Sequence, residues 1–231
     1  MTELIVTTSW DDGSMFDLRV AELMEKYGIK GTFYVPKSYL NNHLSKAEVI
    51  SLDKRFEIGS HTLNHLDLTS ISLSDSEREI KGSKDYLEEM LGHGISMLCY
   101  PKGRYNRDIK RIVREANFIA ARTTNPGGFA LPKDPYEWRI TLDASNGSPR
   151  LSAQIWLRYR TAIGSLFDWE LRGKSLFDLA LKKGGVYHLW GHPAGYEVRH
   201  EWTKLERVLA YISRKEGVRY LANGEIFRSV K

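Results

Sequence analysis

Two adjacent carboxylates close the first apolar run of this sequence. Asp11 and Asp12 follow the strand-like residues 4–10 and precede Gly13, which permits a sharp turn. Because neighbouring residues point in different directions, one carboxylate can bind a cation while the other faces a substrate. The alternative is a helix N-cap, since Asp at a strand-to-helix turn often only accepts hydrogen bonds from backbone amides. These residues alone leave open which of the two carboxylates would bind a metal.

Two histidines follow another predicted strand, residues 56–60. His61 and His65 are four apart, which places both imidazoles on one face if the chain turns helically. Polar residues in a surface loop are the alternative. The carboxyl ends of parallel strands share one rim of a barrel, so the histidines and the carboxylates are expected together. Two imidazoles and one carboxylate leave a coordination position for water, as in catalytic zinc sites, where the pKa of that water falls to about 7.

A third histidine is expected on the same rim. His192 follows the β-rich run 185–190, and an imidazole there can donate a proton to a leaving amine. His188 lies deeper on that strand, and we predict a buried, hydrogen-bonded histidine. Cys99 is the single cysteine. We predict that it is a small buried residue, because no His/Asn arrangement marks it as a nucleophile.

The elements that must position these residues are strands alternating with helices. Predicted strands cover residues 4–10, 31–35, 56–60, 95–100, 118–122, 138–142, 185–190 and 218–221. Apolar stripes at helical spacing lie between them, and capping boxes are predicted at Ser45 and Ser74. The pattern implies parallel strands joined by right-handed crossovers. It predicts an α/β fold over residues 1–231: a single-domain distorted (β/α) barrel, TIM-like with fewer than eight regular units. An open doubly wound sheet is the alternative.

Composition excludes several classes of protein. The 231 residues are 42% hydrophobic and 27% charged, which is ordinary for a globular protein. A net charge of +5 permits an anionic substrate, and no zinc-finger or RNA-binding signature predicts a nucleic-acid partner. No apolar run reaches the 18 or so residues of a membrane span. The N-terminus lacks a signal-peptide pattern, so we expect a cytoplasmic protein. Nothing in the pattern indicates an oligomeric state.

The candidate residues, in their order, resemble the polysaccharide deacetylase family (NodB-homology domain, carbohydrate esterase family four). The resemblance rests on Asp11-Asp12-Gly13, on His61-Thr62-xx-His65, on the later His192 and on the run Gly31-Thr32-Phe33-Tyr34-Val35-Pro36. It extends over most of residues 4–192 and is weakest after residue 125. It implies a distorted β/α barrel and metal-dependent hydrolysis of an N- or O-acetyl group. The roles that it implies are general base for Asp11, metal ligands for Asp12, His61 and His65, and general acid for His192.

One motif departs from the family pattern Arg-x-Pro-Tyr/Phe-Gly. The chain reads Cys99-Tyr100-Pro101-Lys102-Gly103, and a neutral thiol cannot form an ion pair with Asp11. We expect Arg122, at the end of the next predicted strand, to replace the missing arginine, with Arg139 as the alternative. The substrate and oxyanion region is assigned to Pro101, Lys102, Arg122 and Trp190. Asp168-Trp169 is a candidate for the Asp-Trp motif that tunes the histidine in the family, although a structural role for it is favoured.

The leading hypothesis is a metal-dependent hydrolase that removes an acetyl group from an N-acetylated amino sugar or polysaccharide. Water activated by the metal would attack the amide carbonyl, with an Asp base and a His acid. One divalent metal is expected; zinc suits the ligands, and cobalt, nickel or iron also fit. The alternatives are an amidase or deformylase acting on a small non-sugar or lipid-linked substrate, and a degraded carbohydrate-binding relic. The presence of Asp12, His61 and His65 together argues against the relic.

Overall fold

Every pair of neighbouring strands in the central sheet is parallel. The structure is a computed structural model that describes residues 3–229. The strands are β1 (Leu4–Asp11), β2 (Gly31–Val35), β3 (Glu57–Ser60), β4 (Met97–Cys99), β5 (Ala120–Pro126), β6 (Trp138–Ile140), β7 (Leu142–Asp143), β8 (Gly185–Gly191) and β9 (Val218–Tyr220). Their spatial order is β6-β5-β4-β3-β2-β1-β8-β7, and β9 pairs with β1.

Helices connect the strands and cover the outside of the sheet. They are α1 (Asp17–Tyr27), α2 (Lys46–Asp53), α3 (Leu73–Leu91), α4 (Arg107–Glu115), α5 (Pro149–Tyr159), α6 (Trp169–Lys183), α7 (Pro193–Arg199), α8 (Trp202–Ile212) and α9 (Asn223–Ser229). Short 3₁₀ helices span Pro101–Gly103, Pro135–Glu137 and Ile163–Leu166. No helix within residues 3–229 combines the length and apolar character that a membrane crossing requires.

A bend at Thr141 nearly closes the sheet into a barrel. β6 pairs with β5, whereas β7 pairs with β8, so the predicted strand 138–142 is split into two strands that face different neighbours. The Thr141 amide donates a hydrogen bond to the His188 carbonyl at 2.9 Å, which joins the two sides. This confirms the distorted (β/α) barrel and excludes the open doubly wound sheet.

The core holds β1 in place and therefore positions the carboxylates at its end. Met24 and Trp10 are fully buried, and the Trp10 indole donates to Thr8 Oγ1 at 3.1 Å and to Met24 Sδ at 3.0 Å. Burial of a side chain of the size of Met24 contributes about 1.5–3 kcal/mol. The apolar stripe of α1 is thus the support beneath the first carboxylate motif.

One of the two predicted capping boxes is correct. Ser45 caps α2, with its hydroxyl accepting from the Glu48 amide and the Glu48 carboxylate accepting from the Ser45 amide. The prediction at Ser74 is wrong, because α3 begins at Leu73 and its N-cap is Ser72. Ser72 has the extended backbone of a cap, and its hydroxyl accepts from the Asp75 amide at 3.1 Å. Ser74 therefore already lies in the first turn of the helix.

Candidate active site

Three strands deliver polar residues to one rim of the barrel. β1 ends at Asp11, β3 ends immediately before His61, and β8 ends immediately before His192. The backbone there is unusual for residues with a side chain: φ is 81° at Asp12 and 53° at His65. Left-handed conformations of this kind cost about 1–3 kcal/mol each and concentrate at functional sites. The chain thus turns sharply at this rim, and the side chains at the turns face one another.

Asp12, His61 and His65 converge on one point. Asp12 Oδ1 lies 3.6 Å from His61 Nε2 and 3.5 Å from His65 Nε2. These separations are long for hydrogen bonds. They are close to the roughly 3.3 Å expected between two ligands that lie about 2.0 Å from a tetrahedral ion. Asp12 Oδ1 is buried and has no hydrogen-bond partner within residues 3–229. The donor set, its spacing and this unpartnered oxygen all fit a divalent metal.

The two imidazoles are prepared for metal binding. His61 Nδ1 donates to the Cys99 carbonyl at 2.9 Å, which directs Nε2 towards Asp12. Burial by itself lowers the pKa of His61, but its neighbours, Asp11 and Asp12 among them, raise it well above its usual value, so a metal would replace a proton on Nε2. Burial and the neighbouring His61 lower the pKa of His65 to about 4, so its imidazole is neutral at neutral pH. The two rings are packed edge to face, with centroids 4.6 Å apart.

A second group of potential ligands, Asp11, His61 and Cys99, is less suited to a metal. Their ligand atoms also lie within 4.8 Å of one another, and all three residues are buried. Asp11, however, already forms an ion pair with the Arg122 guanidinium, which would repel a second cation. Burial raises the pKa of the Cys99 thiol, so it stays a neutral small residue, as predicted.

Asp11 is held on several sides. Arg122 Nη2 donates to Oδ1, and Trp190 Nε1 donates to Oδ2 at 2.8 Å. The Cys99 thiol lies 3.6 Å from Oδ2. Burial by itself raises the pKa of Asp11, but Arg122, His61 and His192 outweigh it and hold that pKa well below its usual range. Asp11 is therefore an ionised, oriented carboxylate.

The expected ion pair between Arg122 and Asp11 is present, and neighbouring strands explain it. Arg122 on β5 is the register partner of Cys99 on β4. The small thiol leaves space for the longer side chain from the next strand to reach β1. The guanidinium is fully buried, 5.0 Å from the ring centroid of Tyr34 and 5.3 Å from that of Trp190. The alternative, Arg139, is exposed on β6.

His192 and His188 have different environments: His188 lies in the middle of β8, and His192 follows the end of that strand. The His192 side chain is 44% exposed, and its Nε2 lies 3.9 Å from Asp12 Oδ2. It is thus open to solvent and close to Asp12, one of the three residues that could hold a metal. His188 is buried, its Nε2 lies 2.8 Å from the Ser9 hydroxyl, and burial lowers its pKa well below the usual value. The prediction of a buried, hydrogen-bonded His188 is confirmed.

Asp168 and Trp169 have structural roles. Asp168 caps α6 by accepting from the Glu170 amide at 2.7 Å, and Trp169 is fully buried. The sequence analysis did not identify Asp143, a further carboxylate whose charge interacts with His192. Burial raises the pKa of Asp143, and a 2.9 Å hydrogen bond from Ser145 and the charge of His192 oppose that rise. Asp143 ends β7, so the signal that identified Asp11, a carboxylate after an apolar run, applied here too.

Two further residues at the rim were not predicted. Asp17, in the first turn of α1, is fully buried, and neither of its oxygens has a hydrogen-bond partner in the described part of the chain. Burial and the nearby Asp12 and Asp11 raise its pKa well above the usual value. Tyr39 is 47% exposed, and its ring is stacked on His65 with centroids 4.0 Å apart. Neither residue carries a spacing signal in the sequence.

The loop assigned to the substrate and oxyanion region follows β4 at the same rim. Pro101 is buried at the start of a 3₁₀ turn, whereas Lys102 is exposed with a left-handed φ of 57°. The indole N–H of Trp190 is occupied by Asp11. The oxyanion role of this region stays a prediction.

The chain is similar in sequence to several known proteins. A family model described as polysaccharide deacetylase matches residues 2–121. The peptidoglycan-N-acetylglucosamine deacetylase of Bacillus cereus is 26% identical over 141 residues, which are 59% of this chain and 61% of that protein. The chain spans 35% to 61% of the length of the curated relatives it matches.

Solved structures are similar as well. The Streptococcus pyogenes deacetylase PplD, in complex with acetate, has a TM-score of 0.53 at 27% identity, over 57% of this chain and 61% of that one. The chitin deacetylase of Colletotrichum lindemuthianum has a TM-score of 0.64 at 15% identity, over 97% of this chain and 88% of that one. The second likeness concerns the fold alone.

Proposed function

Because this chain belongs to the polysaccharide deacetylase family, we propose that it hydrolyses the acetamide of an N-acetylated amino sugar in a glycan. The observation that carries the proposal is the convergence of Asp12, His61 and His65 beside the ion-paired Asp11. The name of the Bacillus cereus relative supports a substrate of the peptidoglycan type. Water is added across the C–N bond, which yields acetate and a free amine.

The metal-binding role belongs to Asp12, His61 and His65. A divalent ion held by them, for which zinc suits the ligands, would polarise the acyl carbonyl and lower the pKa of a water molecule. One carboxylate and two imidazoles leave coordination positions for substrate and water. The hydrogen bond from His61 to the Cys99 carbonyl orients the ligand nitrogen.

Asp11 serves as the general base in this proposal. It accepts the proton that the attacking water loses, and proton transfer of this kind contributes about 10²–10⁴-fold in rate. Arg122 and Trp190 hold both carboxylate oxygens, so the base is fixed in orientation before substrate arrives. Trp190 therefore acts by positioning Asp11.

His192 serves as the general acid. It donates a proton to the nitrogen of the leaving amine as the C–N bond breaks. Its exposure lets it recover that proton from solvent, and its place 3.9 Å from Asp12 puts it beside the metal-binding group. Asp143, at the end of β7, is a neighbouring carboxylate whose charge interacts with His192. Tyr39, stacked on His65, presents an aromatic face to a sugar ring at the entrance.

The test combines metal analysis with acetate release. Purified protein should contain one divalent metal and release acetate from chito-oligosaccharides or peptidoglycan fragments, while small acetamides test the amidase alternative. His61→Ala and His65→Ala should each lose metal and activity but stay folded, because the core does not include the metal. His93→Ala is the matched control, since that imidazole is exposed and pairs with Asp53 instead. Full metal content in both site variants would contradict the assignment.

A further inference from the structure

A groove crosses the outer wall of the barrel far from the rim. It consists of two adjoining cavities, of 670 and 320 Å³, that share Gly127 and Ala130. The segment that follows β5 forms one wall, and the ends of α5 and α6 form the other. The larger cavity reaches Gly185, the first residue of β8, whereas His192 follows the last. Seven strand residues separate the two ends, a distance of about 20 Å.

Four cations line this groove without a counter-ion. They are Lys133, Arg139, Arg158 and Lys183. No carboxylate oxygen in residues 3–229 lies within 4.0 Å of any of these four side-chain cations. Groups of unpaired cations along one concavity focus a positive potential and raise the local concentration of anions.

The three carboxylates of the groove do not neutralise those cations, because each has a partner elsewhere. Glu3 pairs with Arg219 on β9 at 3.0 Å. Asp134 pairs with Lys110 on α4 at 2.9 Å, and Glu137 pairs with the same ammonium. Because Lys110 balances only one of its two carboxylates, the groove presents four positive charges against one residual negative charge.

Two aromatic rings and a glycine also line the groove. Phe129 and Tyr159 pack with ring centroids 5.5 Å apart, and the cations of Arg158 and Lys183 lie 5.2 and 5.8 Å from the Tyr159 ring centroid. Gly128 has a φ of 91°, which residues with a side chain rarely adopt, and a Cβ there would lie 2.4 Å from the Tyr159 hydroxyl. Rings give a flat apolar surface for a sugar face, and the adjacent cations suit a negatively charged substituent.

We propose that this groove binds a strand of anionic polysaccharide, with its carboxylate, phosphate or sulfate groups on the four cations. The site is separate from the rim and goes beyond the proposed deacetylation, because binding here needs no metal ligand, base or acid. A charged glycan bound in the groove contacts the chain at a second site and leaves the rim accessible to substrate.

Affinity electrophoresis tests the proposal on the full chain. Polygalacturonate and dextran sulfate in the gel should retard the protein, and neutral dextran should not. The triple variant Lys133→Gln, Arg158→Gln, Lys183→Gln should bind both charged polymers at least about tenfold more weakly. The comparison of a carboxylated with a sulfated polymer shows which anion the groove prefers.

A matched triple variant controls for net charge. Lys46→Gln, Lys54→Gln and Arg107→Gln remove three exposed cations from other surfaces and should leave binding within about twofold of the parent. Equal losses in both triple variants would overturn the groove as a site. Binding of a single-stranded oligonucleotide as tightly as the charged polymers, lost in the same variant, would overturn the glycan as its ligand. Acetate release measured in parallel separates this outcome from failure of the rim chemistry.

Discussion

Two carboxylates at opposite ends of the barrel have contrasting surroundings: the Glu57 side chain is 13% exposed and that of Asp11 is 2% exposed. Glu57 begins β3 at the base, and its oxygens accept from the Thr32 hydroxyl at 2.6 Å and the Gly224 amide at 2.8 Å. It also pairs with Arg228 at 3.0 Å, a guanidinium that is 56% exposed. Asp11 at the rim pairs with Arg122, which is wholly buried. Glu57 thus has two hydrogen-bond donors and an exposed cation as partners. At the rim, both charges of the Asp11–Arg122 ion pair are buried.

The pKa values of these two carboxyl groups shift in opposite directions. Burial raises the pKa of Glu57, and its hydrogen bonds and Arg228 only partly offset it, because solvent screens an exposed cation. Arg122 and the histidines reverse that effect at Asp11. The rim also contains unpartnered buried oxygens on Asp12 and Asp17. Unsatisfied groups are costly, and within residues 3–229 the unpartnered buried carboxylate oxygens all belong to Asp12 and Asp17, which indicates that the rim is adapted to bind a cation.

Replacement of Arg122 and of Arg228 should give the largest difference in stability between the two ends of the barrel. Arg122→Ala leaves Asp11 buried without its cation, and breaking a buried pair in this way costs about 3–5 kcal/mol. Arg228→Ala breaks an exposed pair and should cost less than about 1 kcal/mol. Urea denaturation of both variants measures the difference. Equal losses of stability would show that the two ends do not differ as described.

Removal of the charge from each carboxyl should separate catalysis from stability. Asp11→Asn should lower kcat by about 10²-fold or more, because the amide cannot accept the proton, while metal content stays unchanged. Glu57→Gln should leave kcat within about twofold, since it lies at the far end of the strands. Steady-state kinetics and metal analysis give both results. If Asp11→Asn lost the metal and Asp12→Asn kept it, the roles of general base and metal ligand would be reversed.

The pH dependence of stability should report Glu57. A carboxyl whose pKa is higher in the folded state than in the unfolded state binds its proton more tightly when folded. The contribution of Glu57 to the free energy of unfolding therefore falls as pH rises above its ordinary pKa of 4.5. Glu57→Gln should flatten the part of the profile that falls above about pH 4.5. An unchanged profile would mean that Glu57 is not the group responsible.

The smallest expected effect concerns the unpartnered carboxyl of Asp17. In metal-free protein, Asp17→Asn should raise the free energy of unfolding at neutral pH by about 1 kcal/mol, because it removes an ionisable group buried beside Asp11 and Asp12. Asp85→Asn, on the exposed face of α3, is the control and should change stability by less than about 0.5 kcal/mol. A loss of stability in Asp17→Asn would show that the Asp17 carboxyl makes a stabilising interaction.

Sequence patterns were sufficient for the barrel and for the position of its main polar groups. Alternation of strand and helix predicts parallel strands, and the carboxyl ends of parallel strands meet at one rim. Asp11, His61 and His192 each follow a predicted strand, so the sequence alone predicts that they lie together at the rim. The helix start at Ser72 was misjudged because two serines two residues apart, Ser72 and Ser74, both match the preference for a hydroxyl at the cap.

Only the tertiary structure decided which side chains complete the site. Arg122 and Asp11 are 111 residues apart, and their contact depends on the register that sets Arg122 beside the small Cys99. The position of Asp143 beside Trp190 on β8 depends on the bend at Thr141, because β6 pairs with β5 and β7 pairs with β8. Local periodicity specifies which face of an element is buried, and it carries no information about which distant strand lies alongside. By itself the sequence therefore determined the strand-end residues, and the packing of strands across the barrel determined their partners.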